Sequence, residues 1–284
     1  MGKSLRSSIR KHWPEYLIEG GAVGCLMIAV GSFVTAFESP KSLLFASIPS
    51  VSLRSVLLAL GVGMVLTLLI QSPWGKRSGA HMNPAITLAF LRLKRVHLWD
   101  AFFYVLAQIV GGTLGVVVVA GFVGRLFTDP PVRYAITVPG SAGETVAFVA
   151  ETVISFVLMA TILAFIASPR LIRFTGLAVG CLVAFLIIVE GQLSGASMNP
   201  ARTIASAVPG MFWKHLWIYL VGPTLGMLTA AEVLLYIGHD RFCGCAKLLH
   251  PPNVRCIHCG YLCHQESAIA LSRASFHRNP SREQ

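Results

Sequence analysis

The residues best suited to chemistry in this 284-residue chain occur as two near copies of one phrase. Residues 78–89 read SGAHMNPAITLA and residues 194–205 read SGASMNPARTIA, with nine of the twelve positions identical. In each copy an Asn-Pro-Ala triplet, Asn83-Pro84-Ala85 or Asn199-Pro200-Ala201, opens a short apolar run, 84–91 or 200–208. Pro suits the first turn of a helix, where its missing N–H is not needed. Neither run can cross a bilayer, which takes about 20 apolar residues, so the spacing predicts two half-helices. A helix N-terminus carries unpaired N–H groups and partial positive charge. Two such ends entering a membrane from opposite faces would bring Asn83 and Asn199 together at the midplane. Each Asn side chain would offer N–H donors to a molecule between them, while the positive potential opposes any cation, hydronium included. That chemistry suits neutral polar molecules. Arg202, three residues past Asn199, is the one strongly basic side chain in either run. It would sit about one turn along its half-helix and add a fixed charge to the pore wall. The bland alternative, an Arg snorkelling to an interface, needs a longer and more polar helix than this run allows.

A second constellation lies near the C-terminus. Of seven cysteines, Cys25 and Cys181 fall in apolar stretches and read as small hydrophobes. The other five, Cys243, Cys245, Cys256, Cys259 and Cys263, crowd together with His250, His258 and His264. A Cys-x-x-Cys pair joined by further thiols is what a tetrahedral zinc site uses. The best four ligands on spacing are Cys243 or Cys245 with Cys256, Cys259 and Cys263. Eight candidates for four places leave the set open, and a cysteine-rich segment beside a membrane can also be lipidated or unstructured. Thiols stay reduced in the cytoplasm, which favours metal over disulfide there. Conduction itself requires no cofactor.

The elements that must position these residues follow from composition. The chain is 55% hydrophobic and 12% charged, against about 25% charged in soluble domains. Six long apolar stretches, near 17–37, 53–71, 99–121, 146–167, 174–190 and 215–237, are long enough to span. In lipid the backbone must satisfy itself, so each is a helix. The expectation is an all-α membrane protein, six transmembrane helices plus two re-entrant half-helices in an inverted repeat. A basic N-terminal segment occupies 1–14, a channel domain 15–238, a Cys/His-rich segment 239–264 and a disordered tail 265–284. The run at 17–37 is too long for a cleaved signal and lacks a clean cleavage site, so it reads as the first span. Lys and Arg number 17 on the side of both termini against 5 on the other, which places both termini in the cytoplasm. The net charge of +11 is spent on this bias, so no nucleic-acid partner is expected.

Both Asn-Pro-Ala copies, with Arg after the second alone, resemble the aquaporins and glycerol facilitators, the major intrinsic proteins. Tyr104-Val-Leu-Ala107-Gln108 before Gly111-Gly112, and Tyr219-Leu-Val-Gly222-Pro223 with Gly226, are similar to that family's third and sixth helices. Glu19 and Glu151 match glutamates of its first and fourth. The resemblance covers about residues 15–238 and implies a homotetramer with one pore per subunit. It also implies that Glu19 and Glu151, with Gln108, accept hydrogen bonds from buried loop backbone rather than relay protons. The family's narrowest ring maps here to Ile187, Ala196 and Arg202, with Val62 or Gly63 as the fourth position. Water-selective members are expected to carry His at the Ile187 position and an aromatic on the second helix. Apolar residues here imply a wider ring and solutes larger than water. Glycerol facilitators resemble one another in an Asp after the Arg, where this chain has Thr203, so the match is closer to a plant nodulin-like or bacterial branch. A bacterial inner membrane fits that branch.

The function expected is a passive channel for water or small neutral solutes, glycerol- or urea-like, that excludes ions and protons. The alternatives are an inverted-repeat secondary transporter, or a non-conducting membrane protein whose cysteine tail senses metal or redox state. No span carries a nucleophile–base pairing, so no enzyme is expected.

Overall fold

The computed structural model describes residues 5–237, 245–251 and 254–259. Eleven α-helices occur among them: α1 (Leu5–Glu38), α2 (Leu43–Ser47), α3 (Val51–Gln71), α4 (Pro73–Ser78), α5 (Pro84–Arg92), α6 (Leu98–Val123), α7 (Arg125–Thr128), α8 (Glu144–Ala167), α9 (Thr175–Ser194), α10 (Pro200–Gly210) and α11 (Leu216–Tyr236). Six are long and apolar enough to cross a membrane: α1, α3, α6, α8, α9 and α11. Their places agree with the six stretches read from the sequence. The protein is an all-helical membrane protein.

The first helix starts earlier than its apolar stretch suggests. Its extra turns, Leu5–Tyr16, pack against the start of α6 rather than standing free. His12 Nδ1 lies 2.6 Å from Asp100 Oδ1, and the Tyr16 hydroxyl donates to the same oxygen at 2.6 Å. Arg77, at the end of α4, pairs with the buried Glu15 at 3.1 Å.

The halves repeat. α1 packs on α6, and α8 packs on α11. Both crossings are close because glycines face backbone. A Cβ at Gly111 would fall on the Gly20 carbonyl oxygen, and one at Gly226 on the Thr152 carbonyl oxygen. Small residues bring helices together where lipid gives no hydrophobic push. Each half has three spans, so the second is inverted relative to the first. Six crossings also return the chain to the side from which it started.

Helices α5 and α10 are the half-helices, 9 and 11 residues long. Pro84 and Pro200 stand at their first position. Asn83 and Asn199 cap them in extended conformation, with φ of −158° and −146°. The loops that lead into them hold residues in left-handed conformation at matching places: Gly79, Ala80 and Met82 in one, Gly195, Ala196 and Met198 in the other. A side chain in that region is strained, so something must hold both loops.

Candidate functional site

Two buried carboxylates hold them. Glu19 of α1 accepts from the Ser78 hydroxyl at 2.7 Å, His81 N at 3.1 Å and Met82 N at 2.7 Å. Glu151 of α8 accepts from the Ser194 hydroxyl at 2.8 Å, Ser197 N at 2.7 Å and Met198 N at 2.8 Å. Both glutamates are completely buried. Non-helical backbone at membrane depth must find partners inside the protein, and these carboxylates supply them. Gln108 donates to Glu19 at 2.9 Å. Tyr104 and Tyr219 donate to the Ser78 and Ser194 carbonyls, each at 2.7 Å.

The two half-helices are stapled end to end. Asn83 Oδ1 accepts from Ala85 N at 2.9 Å, and its Nδ2 donates to the Met198 carbonyl at 2.7 Å. Asn199 Oδ1 accepts from Ala201 N at 3.0 Å, and its Nδ2 donates to the Met82 carbonyl at 2.8 Å. An Asn amide has two N–H donors. One is spent on the staple, which leaves the other for a molecule beside it. Both Asn side chains line one cavity.

That cavity runs between the spans. Val62, Ile187, Ala196 and Arg202 all line it, as do Ile86 and His81. Of the two α3 candidates, Val62 lines the cavity. Gly63 lies against α9, where a Cβ would fall on the Gly180 carbonyl oxygen. Its missing side chain serves helix packing, not the pore. Arg202 Nη1 is buried and has no hydrogen-bond partner among the described residues. A donor of that kind, lining a largely apolar cavity, is available to whatever polar group occupies it.

Among the lining residues that the sequence reading did not single out, two make contact with each other's part of the chain. His81 sits inside the first repeat at the place Ser197 holds in the second, and that mismatch between near-identical copies was the available signal. Its Nδ1 is 3.1 Å from the Thr87 hydroxyl and its Nε2 is 2.6 Å from the Ala246 carbonyl. A carbonyl only accepts, so Nε2 carries the proton. Leu248 also lines the cavity, although it lies far along the chain, past the last span. It had no signal in local pattern.

Among the cysteine-tail residues, Cys245, Cys256 and Cys259 come together, and His250 joins them. Cys243 and Cys263 lie outside the described residues. The Cys256 thiol is lowered to about 7, first through its hydrogen bond with Cys245. Cys25 and Cys181 are exposed on the outer faces of their helices.

The pattern that defines the family described as Major intrinsic protein matches residues 11–236. The chain belongs to the major intrinsic protein family. This channel is 32% identical over 215 residues to a glycerol uptake facilitator protein-like 6 of Lactiplantibacillus plantarum, covering 74% of this chain and 96% of that one. It is 38% identical over 173 residues to a probable aquaporin NIP-type of Nicotiana alata, 60% of this chain and 62% of the relative. With nodulin-26 of Glycine max the figures are 36% over 172 residues, 60% and 61%. The chain thus spans about three fifths of the length of these plant relatives. In fold it is similar to the aquaglyceroporin from Plasmodium falciparum, with a TM-score of 0.65, 22% identity and coverage of 79% of this chain and 96% of that one. The channel is an integral membrane protein and not an enzyme.

Proposed function

We propose that this protein is a passive channel for water and for neutral solutes somewhat larger than water, of the glycerol or urea class, and that it excludes ions and protons. One observation carries the reading of the solute: the wall formed by Val62, Ile187 and Ala196 is apolar and shares its cavity with Arg202. A polyol or urea has polar edges for the Arg202 and Asn donors and a body that tolerates an apolar wall. A relative's name, glycerol uptake facilitator protein-like, is in keeping with this. Cations meet the fixed charge of Arg202 and two helix N-termini at Asn83 and Asn199. Protons cannot pass along a water file whose central molecule is turned by two donating amides.

The charge bias of 17 basic residues against 5 supports both termini in the cytoplasm, and the bacterial relative supports a bacterial inner membrane. The resemblance to the family supports a homotetramer with one pore per subunit, bathed by membrane lipid.

The test is stopped-flow light scattering on proteoliposomes. With a membrane-permeant metal chelator present throughout, a sucrose step should give fast shrinkage, and a glycerol or urea step fast shrinkage followed by fast reswelling. Ile187→Phe should remove the reswelling and spare much of the shrinkage. Fast shrinkage without reswelling in the unaltered protein would refute the solute reading. Solute uptake that required an ion gradient would refute passive conduction in favour of a transporter.

A further inference from the structure

Residues 245–251 and 254–259, past the last span, lie against the channel. They cover the mouth on the side where α1 begins and put an apolar side chain into the cavity. Leu248 is 1% exposed and lines the same cavity as Asn83 and Asn199. Its N–H donates to the Gly79 carbonyl at 3.1 Å. Beside it, the Ala246 carbonyl accepts from His81 Nε2 at 2.6 Å. Lys247 Nζ donates to the Lys76 carbonyl at 2.9 Å and to the Arg255 carbonyl at 2.6 Å. Arg255 in turn donates to the Lys11 carbonyl at 2.8 Å. The His258 ring stacks on His81, with centroids 5.8 Å apart. The segment thus binds to the loop that feeds α5 and to the start of α1.

Nothing regular holds it there. Residues 245–251 and 254–259 contain no helix or strand, and ordering such a short stretch is costly without a cross-link. The cross-link is available. The ligand atoms of Cys245, His250, Cys256 and Cys259 all lie within 4.8 Å of one another. Cys245 Sγ is 3.3 Å from Cys256 Sγ, and His250 Nε2 is 3.3 Å from Cys259 Sγ. A sulfur pair at 3.3 Å is too far apart for a disulfide, which needs about 2.05 Å. It is near the edge of a tetrahedron around zinc, about 3.8 Å for Zn–S bonds of about 2.3 Å. Three thiolates and one imidazole are a known structural zinc set, and the Cys256-x-x-Cys259 spacing suits it. The charge also balances. Lys247 is 1% exposed, and its hydrogen bonds named above go to neutral carbonyls. A buried ammonium needs a counter-charge. Zinc with three thiolates carries a net charge of −1, which would provide it.

We propose that Cys245, His250, Cys256 and Cys259 bind one Zn2+ ion, and that this ion holds Leu248 in the pore mouth as a closed gate. The gate rests on the channel reading given above; the metal site does not. Loss of the ion frees the segment, withdraws Leu248 and opens the pore. The device makes solute flux answer to zinc supply on the side where α1 begins.

Two measurements on the full chain test it. The first is the metal content of protein purified under reducing conditions, exposed to zinc and desalted. About one zinc per chain is expected, falling toward none in Cys259→Ser and His250→Ala. Absence of bound zinc in the reduced, unaltered chain overturns the site. The second is shrinkage of proteoliposomes in a sucrose step, with and without a membrane-permeant zinc chelator. Zinc-loaded protein should shrink slowly and speed up on chelation. Leu248→Ala should shrink fast while keeping its zinc, and the chelator should add little. A rate that neither chelation nor Leu248→Ala changes, in protein that conducts, overturns the gate. If every variant, Leu248→Ala included, stays at the rate of empty vesicles with its helical circular dichroism intact, the channel reading fails. The zinc site then stands or falls on stoichiometry alone.

Discussion

The two half-helix regions are near copies, and their differences are more informative than their likeness. In both, a buried glutamate from another span gathers a serine hydroxyl and two backbone N–H groups. In both, an Asn caps the half-helix and reaches across to the other half. These shared parts build a scaffold. The pore's chemistry lies where the copies disagree. Ile86 in the first half stands where Arg202 stands in the second, and both line the cavity. His81 faces Ala246 of the C-terminal segment, whereas its counterpart Ser197 is turned inward onto the Thr203 hydroxyl at 2.5 Å. Gln108 bonds Glu19 in the first half, while Pro223 occupies the equivalent place in the second. One half therefore carries the charge and the other carries the contact to the segment over the mouth.

The comparison can be broken in three ways. The largest effect is expected from Glu19→Ala and Glu151→Ala. The first removes the acceptor of four buried donors and the second that of three, at about 1–3 kcal/mol apiece, and each should cost most of the folded protein. Size-exclusion profiles of the detergent-solubilised variants after graded heating read this. A large difference between the two would show that the scaffold is not evenly shared. Next come Gly111→Ala and Gly226→Ala, at matching helix crossings. Each should destabilise by about 1–3 kcal/mol through overpacking against backbone, visible as a lower unfolding midpoint. Unequal losses would mean that one crossing has slack. The smallest effect on the fold should come from Arg202→Val, which makes the second half match the apolar Ile86 of the first. The fold should survive. A unit charge at about 4 Å is worth about 4 kcal/mol at an effective dielectric near 20, so proton or cation leak should rise by about tenfold or more. A pH-sensitive dye trapped in proteoliposomes measures it. An unchanged leak would assign ion exclusion to the helix ends alone.

The placement of Val62 and Gly63 on α3 shows where sequence reading stopped. Val62 and Gly63 are neighbours on a helix that is apolar all round, because both its lipid face and its packed face are apolar. Periodicity therefore carries no information about which residue turns toward the pore. Only the approach of Gly63 to the Gly180 carbonyl fixes that rotation. The cysteine segment shows the same limit at longer range. Spacing put Cys243 or Cys245 with Cys256, Cys259 and Cys263 first among eight candidate ligands and set the histidines behind them, because spacing does not show how the backbone turns. The fold places His250 beside three of them.

The sequence by itself determined the six spans, the two half-helices and their inverted relation. These rest on local rules: length of apolar runs, Pro at a helix start, and a repeated phrase of twelve residues. Tertiary structure alone decided which faces line the cavity and that Leu248 occupies its mouth. Both depend on contacts between residues far apart in the chain, such as Leu248 with Gly79 and Ala246 with His81. Such contacts are fixed by how packed helices rotate and where a loop returns, and no local pattern encodes either.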